Sequence, residues 1–138
     1  MSEASNVILL VEDNRQDAEL LLDALRELGF EYEVALARDG IEAIAFARCS
    51  PPPRLVLLDL KMPKVDGIEV IRKLKSDEMT SCIPIVVFTS SSQERDVRDA
   101  YRSGANGYVV KPVDIDAFSS VVATLGRYWL AANRVPRP

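Results

Sequence analysis

Five short apolar runs divide the chain, and between them apolar residues recur at helical spacing. Val7 to Val11 and Leu55 to Leu58 are unbroken runs that predict strands buried on both faces. Ile85 to Phe88 predicts another strand, Tyr32 to Ala37 a weaker one and Tyr108 to Val110 a short one. After the first run, Ala18, Leu21, Leu22, Leu25 and Leu28 share one helix face, with Asp13 or Asn14 placed to cap it and Gly29 to end it. Asp39-Gly40 leads into a short helix carrying Ile41, Ile44 and Ala45, which Pro51, Pro52 and Pro53 terminate. Asp66 is a plausible N-cap for a third helix that buries Ile68, Ile71 and Leu74, or Val70 and Leu74. Ser91 to Glu94 has the spacing of a capping box. The fourth helix behind it has a thin apolar stripe (Val97, Ala100 and Tyr101), so loose attachment is expected, and Gly104 closes it. Asp114 caps the last helix, in which Phe118, Val121, Val122, Leu125 and Trp129 repeat.

Strand and helix thus alternate five times, at the 25 to 30 residues or so that a βαβ unit needs. The fold class expected is α/β: a doubly wound, five-stranded parallel sheet with helices on both faces and right-handed crossovers. Of the doubly wound orders, 2-1-3-4-5 is the common one for five strands, and it sets the ends of strands one and three side by side. Residues 1–130 are expected to form one domain and residues 131–138 a short C-terminal extension, with no output domain.

Composition narrows the class further. A chain of 138 residues buries about two thirds of its unfolded surface, so its core needs no staples. Its 48% apolar and 28% charged residues describe a globular domain, not a disordered one. A net charge of −4 gives no general attraction to nucleic acid or to an anionic membrane, and Arg127, Arg134 and Arg137 are too few to change that. Cys49 and Cys82 show neither metal spacing nor a disulfide framework and read as reduced thiols in a cytoplasm. The opening Met1 to Asn6 lacks the basic flank and apolar run of a secretory signal. No apolar run nears ~18 residues, so no membrane span is expected.

The candidate chemistry lies at the strand ends. Leu55 to Leu58 runs into Asp59, and Val7 to Val11 into Glu12-Asp13. In the 2-1-3-4-5 order these three carboxylates converge at the edge where open α/β sheets bind ligands. Two like charges 4 Å apart repel by ~1 kcal/mol in bulk water and by ~4 kcal/mol at an effective dielectric of 20. They therefore need a cation or must take up protons, unless Glu12 and Asp13 merely start a helix, where acids are favoured anyway. Oxygen-only ligands without histidine or thiolate suit a hard ion such as Mg²⁺, with Mn²⁺ as the alternative. Thr89 ends strand four and Lys111 ends strand five. Each has an ordinary reading, as a helix cap and an ion-pair partner. Together they offer a hydroxyl and a cation where an anion on Asp59 would need both. An aspartate can act as a nucleophile towards phosphorus, and Mg²⁺, Lys111 and Thr89 would then stabilise charge on the equatorial oxygens.

Glu12-Asp13, Asp59, Thr89 and Lys111-Pro112, in that order and spacing, resemble the receiver domain of two-component response regulators over residues 6 to 130. A chemotaxis receiver is itself a standard example of the 2-1-3-4-5 order, so order and resemblance are not independent. The resemblance implies that Asp59 accepts a phosphoryl group from a histidine kinase. It implies that Asp13, Asp59 and the backbone carbonyl of Lys61 hold Mg²⁺, with Glu12 acting mostly through water. It also implies a cis peptide before Pro112, and at Tyr108 the aromatic that swings inward as Thr89 moves towards the phosphoryl group. Beyond a Mg²⁺-dependent self-phosphorylation and autodephosphorylation, no enzyme activity is implied. Lys61 occupies a position that varies among receivers and influences phosphate loss.

The segments VEDN, KSDEMTSCIPIVVFTSS, KPVDIDAF and RYWLAANRVP further resemble the single-domain regulators that partner bacterial and cyanobacterial phytochromes, which implies a phytochrome kinase. A flavin or nucleotide carrier would need a Gly- or Ser-rich phosphate loop where this chain has Glu12-Asp13-Asn14. An aspartate-based phosphohydrolase needs a second acid where Lys61 stands. The remaining alternative is a degenerate receiver acting as an unphosphorylated adaptor. A homodimer is expected through the fourth helix, fifth strand, fifth helix and tail. The fifth strand is an edge, and Tyr128, Trp129, Leu130 and Val135 are expected beyond the reach of the domain's own core; the competing reading folds Trp129 back over that edge.

Overall fold

The computed structural model describes residues 6–136 except 30 and 50, so the polar leader before Asn6 and Arg137 lie outside the described residues. Five strands, β1 (Val7–Val11), β2 (Glu33–Ala37), β3 (Leu55–Leu58), β4 (Ile85–Thr89) and β5 (Gly107–Val110), form one parallel sheet in the order β2-β1-β3-β4-β5. Five helices alternate with them: α1 (Arg15–Glu27), α2 (Gly40–Ala47), α3 (Gly67–Ser76), α4 (Glu94–Ser103) and α5 (Ile115–Gly126). No helix among the described residues is long and apolar enough to cross a membrane.

The unbroken apolar runs are explained by two cores. Along the central strands successive side chains alternate between faces. Leu9, Val11, Val56, Leu58, Ile85 and Val87 pack with α2, α3 and α4. Ile8, Leu10, Leu55, Leu57, Val86 and Phe88 pack with α1 and α5. Neither face of these strands reaches solvent, so no polar alternation is needed.

The predicted caps largely form. Of the two candidates Asn14 caps α1, Asp66 caps α3 and Asp114 caps α5, each accepting a backbone N–H three residues on; Asp39, not expected as a cap, caps α2 in the same way. The capping box at Ser91 does not form. Gln93 is the N-cap of α4, and the Ser91 hydroxyl instead donates to Asp96. The buried face of α2 is Gly40, Ala43 and Ala47, while Ile41 and Ala45 are exposed. Small residues win there because the helix lies close to the sheet and loop: a Cβ on Gly40 would meet the Val65 backbone carbonyl. On α3 both predicted faces merge, burying Val70, Ile71 and Leu74. On α4 only Ala100 is buried and Tyr101 is exposed, so the stripe is thinner than expected.

The tail corrects an expectation. After α5 the helix widens into a π-helical stretch, Arg127–Ala132. Leu130 is buried in the α1–α5 core, and Trp129 is half-buried, with its ring over Gly107 of β5. The Tyr32 hydroxyl donates to the Leu130 carbonyl (2.9 Å) and Arg54 Nη2 to the Asn133 carbonyl (3.4 Å). Trp129 and Leu130 therefore cover their own domain, and of that trio only Tyr128 faces outward.

Gly67 fixes how α3 leaves the functional edge. Its N–H donates to the Leu60 carbonyl (2.8 Å), and a Cβ there would lie 2.6 Å from the Asp59 carbonyl oxygen and from Leu60 Cα. Gly67→Ala should therefore destabilise the protein by about 1–3 kcal/mol, through backbone that has no room to yield. Urea unfolding checks this, and a change within experimental error would contradict the contact.

Candidate functional site

The strand order sets the carboxyl ends of β1, β3, β4 and β5 along one rim. Glu12 follows β1, Asp59 follows β3, Thr89 ends β4 and Lys111 follows β5. The backbone holds these ends in register: Asp59 N–H donates to the Val11 carbonyl (3.0 Å) and Lys111 N–H to the Thr89 carbonyl (2.7 Å).

At the centre is the Lys111 ammonium, whose side chain is only 8% exposed. It donates to Glu12 Oε1 at 2.7 Å, Asp17 Oδ2 at 2.8 Å and Asp59 Oδ2 at 3.3 Å. A lysine ammonium has three N–H donors, and all three are used. Burial alone would lower its pKa; the bonds to Asp17 and Glu12 and the nearby negative charge outweigh this and raise it. Lys111 is therefore a permanent cation at this rim.

Glu12 is the most buried acid of the group, at 2% residue exposure. Burial, reinforced by the charge of Asp59 and opposed by Lys111, pushes its carboxyl up to about 7. Its second oxygen accepts from the Asn14 N–H at 3.2 Å. Glu12, Asp13 and Asp59 each place an oxygen within 4.8 Å of the others, so the predicted trio is brought together. Asp13 is exposed at the mouth. This oxygen-only set, three carboxyl groups with one member buried beside a single ammonium, fits a divalent cation.

Lys61 is exposed, and its N–H lies 3.5 Å from Asp59 Oδ1. Thr89 is 1% exposed, and its Oγ1 has no hydrogen-bond partner among the described residues. A buried hydroxyl is normally paired, so this one is poised for an acceptor that the protein itself does not supply. Tyr108 is half-buried and donates through its hydroxyl to the Ser91 carbonyl (2.9 Å), which ties β5 to the loop before α4.

A family model of the response regulator receiver domain matches residues 8–123. The chain belongs to that family. Among similar proteins, the probable methanogenesis regulatory protein FilR2 of Methanothrix harundinacea is 41% identical, over 96% of this chain and 88% of its own length. Response regulator Rcp1 of Synechocystis is 37% identical over 99% of both chains. The phosphorylated cyanobacterial phytochrome response regulator RcpA superposes with a TM-score of 0.91 at 36% identity, covering 97% of this chain and all of that one. Rcp1 has also been solved in an Mn²⁺-bound form, with a TM-score of 0.89.

One residue of this receiver site escaped sequence reasoning. Asp17 sits at the third position of α1, where an acid after an Asn cap reads as part of a capping box. Its carboxylate does not fold back to the cap; it bonds Lys111. Only the strand order reveals this, since the partners are 94 residues apart.

The raised Glu12 carboxyl gives the metal-free protein a signed pH dependence. Folding takes up a proton between the unfolded value near 4.5 and the folded value near 7. The contribution is present below pH 4.5 and is lost as pH rises through about 7. The difference in unfolding free energy between wild type and Glu12→Gln, measured in EDTA across pH 4.5 to 8, should therefore fall as pH rises. A difference constant with pH would contradict the burial of that carboxyl.

Proposed function

We propose that this receiver is a phosphorylation switch in which Asp59 accepts a phosphoryl group from a histidine kinase. The observation that carries the reading is the pairing, around the end of β3, of a permanent buried cation, Lys111, with the unpartnered hydroxyl of Thr89. The chain's own groups suit the step. Asp59 offers a half-buried carboxylate as nucleophile, Lys111 supplies fixed positive charge for developing negative charge, and Thr89 supplies a donor that must lose no existing bond to act. Asp13, Asp59 and the Lys61 carbonyl, with Glu12 through water, are the groups that would hold Mg²⁺. That ion would supply counter-charge for the anionic donor. Tyr108, already bonded to the loop that follows Thr89, would carry the change to α4. The protein is in this reading the substrate of its own phosphorylation and dephosphorylation, not an enzyme with turnover on other molecules.

The likeness to Rcp1 and RcpA along nearly the whole chain supports a phytochrome as the kinase. Two free cysteines, Cys49 and Cys82, support a reducing, cytoplasmic setting. A homodimer through α4, β5 and α5 is supported by Tyr101, Val110, Ile115 and Tyr128, which remain exposed, although the tail contributes less than its composition promised.

Acetyl phosphate with Mg²⁺ should add one phosphoryl group to the wild type and none to Asp59→Asn, read by intact mass, with both proteins melting cooperatively. A phosphorylated Asp59→Asn would move the acceptor elsewhere. A wild type that takes up none would favour the adaptor reading. In sedimentation velocity, the phosphorylated wild type should run as a dimer and Tyr101→Glu as a monomer. A monomeric wild type at high concentration in both phosphorylation states would remove the dimer.

A further inference from the structure

We propose that Asp17 is a positioning residue that holds the Lys111 ammonium back from the Asp59 carboxylate, and so keeps Asp59 free to react. The inference rests on Asp59 being the phosphoryl acceptor. Lys111 is bound unequally by its three acids: Glu12 at 2.7 Å, Asp17 at 2.8 Å and Asp59 at 3.3 Å. The two short bonds draw the ammonium towards β1 and α1, and the long one leaves the acceptor the least engaged. A carboxylate fully paired with an ammonium is a poorer nucleophile, because the electron pair it must donate is already held by the cation. A lysine is needed near Asp59 for charge, yet a lysine seated on it would quench it. A second short bond from the far side meets both needs.

The capping geometry shows why Asp17 is available for this. It occupies the third position of α1, where an acid ordinarily turns back to the N-cap N–H. Here that N–H, on Asn14, is already taken by Glu12 Oε2 at 3.2 Å. The Asp17 backbone N–H is held by the Asn14 side chain at 3.0 Å, so the local turn is complete without the Asp17 carboxylate. Glu12 therefore plays two parts, capping the cap and gripping Lys111, and the first releases Asp17 for the second. Asp17 belongs to neither the metal-compatible trio nor the sheet; it is delivered by the helix, and its side chain is 28% exposed. Its removal disturbs no core contact.

In Asp17→Asn the ammonium loses one charged acceptor and shifts its bonding to Asp59. Phosphorylation by phosphoramidate at saturating Mg²⁺ should slow by about five- to tenfold, within the coupling usual for contacting charged groups. Asp17→Glu, which restores the charge, should recover most of the rate. The effect should vanish in a Lys111→Ala background, because Asp17 acts only through that ammonium; a merely structural role would slow both backgrounds alike. In metal-free protein, the Lys111 ammonium signal in ¹⁵N-edited NMR should exchange with water faster in Asp17→Asn than in wild type. A wild type that phosphorylates on Asp59 while Asp17→Asn reacts at the same rate or faster would overturn this role and leave the acceptor intact. Equal slowing in the Lys111→Ala background, or an unchanged ammonium exchange rate, would overturn it too. A wild type that takes up no phosphoryl group overturns both readings.

Discussion

Lys111 brings a positive charge to a rim where the sheet topology has already gathered negative ones. Strand order places the ends of β1 and β3 together, so Glu12 and Asp59 meet whether or not their charges agree. Buried like charges at such distances repel by several kcal/mol unless something intervenes. Burying an ammonium carries a desolvation cost of similar size, recovered only when each of its donors is paired. The cluster satisfies both conditions at once, and neither half would be stable alone. The rim is therefore coupled. A change of charge or position at any one of Glu12, Asp17, Asp59 and Lys111 alters what the other three experience. Glu12 shows this most clearly, since its carboxyl is pushed up by burial and Asp59 and pulled down by Lys111.

Most of the fold was legible because strands buried on two faces leave an unambiguous trace. Val7 to Val11 and Leu55 to Leu58 could be little else, and the caps of α1, α3 and α5 form where expected. The misreadings occur where close packing or a competing hydrogen bond, not hydrophobicity or spacing, selects the residue. The close approach of α2 favours Gly40, Ala43 and Ala47 over the bulkier Ile41. At α4, Ser91 has the right spacing for a cap but is drawn into the Tyr108 and Asp96 contacts instead. The acids, Thr89 and Lys111 could be placed from strand ends alone. Asp17 could not, because a local explanation for an acid in the first turn of a helix was already sufficient.

The tail shows how packing rewrites an inference drawn from composition. Its π-helical stretch buries Leu130 in the core that Leu125 also joins and lays Trp129 over the edge strand, so β5 is partly shielded by its own chain. Arg54 and Tyr32 then anchor the segment through its backbone carbonyls, at the end of the sheet opposite the acids. The two poles of the sheet are thus built differently: one a tight ionic cluster, the other a lid of main-chain bonds and aromatic rings.

The unpaired hydroxyl of Thr89 has a consequence for how long the protein lasts. A buried polar group without a partner costs about 1–3 kcal/mol, and Thr89 Oγ1 has none among the described residues. An oxyanion seated between the ends of β3 and β4 would remove that cost, and whatever binds only the native state makes unfolding rarer. Proteases act on the opened chain, so a shift of this size alters turnover several-fold.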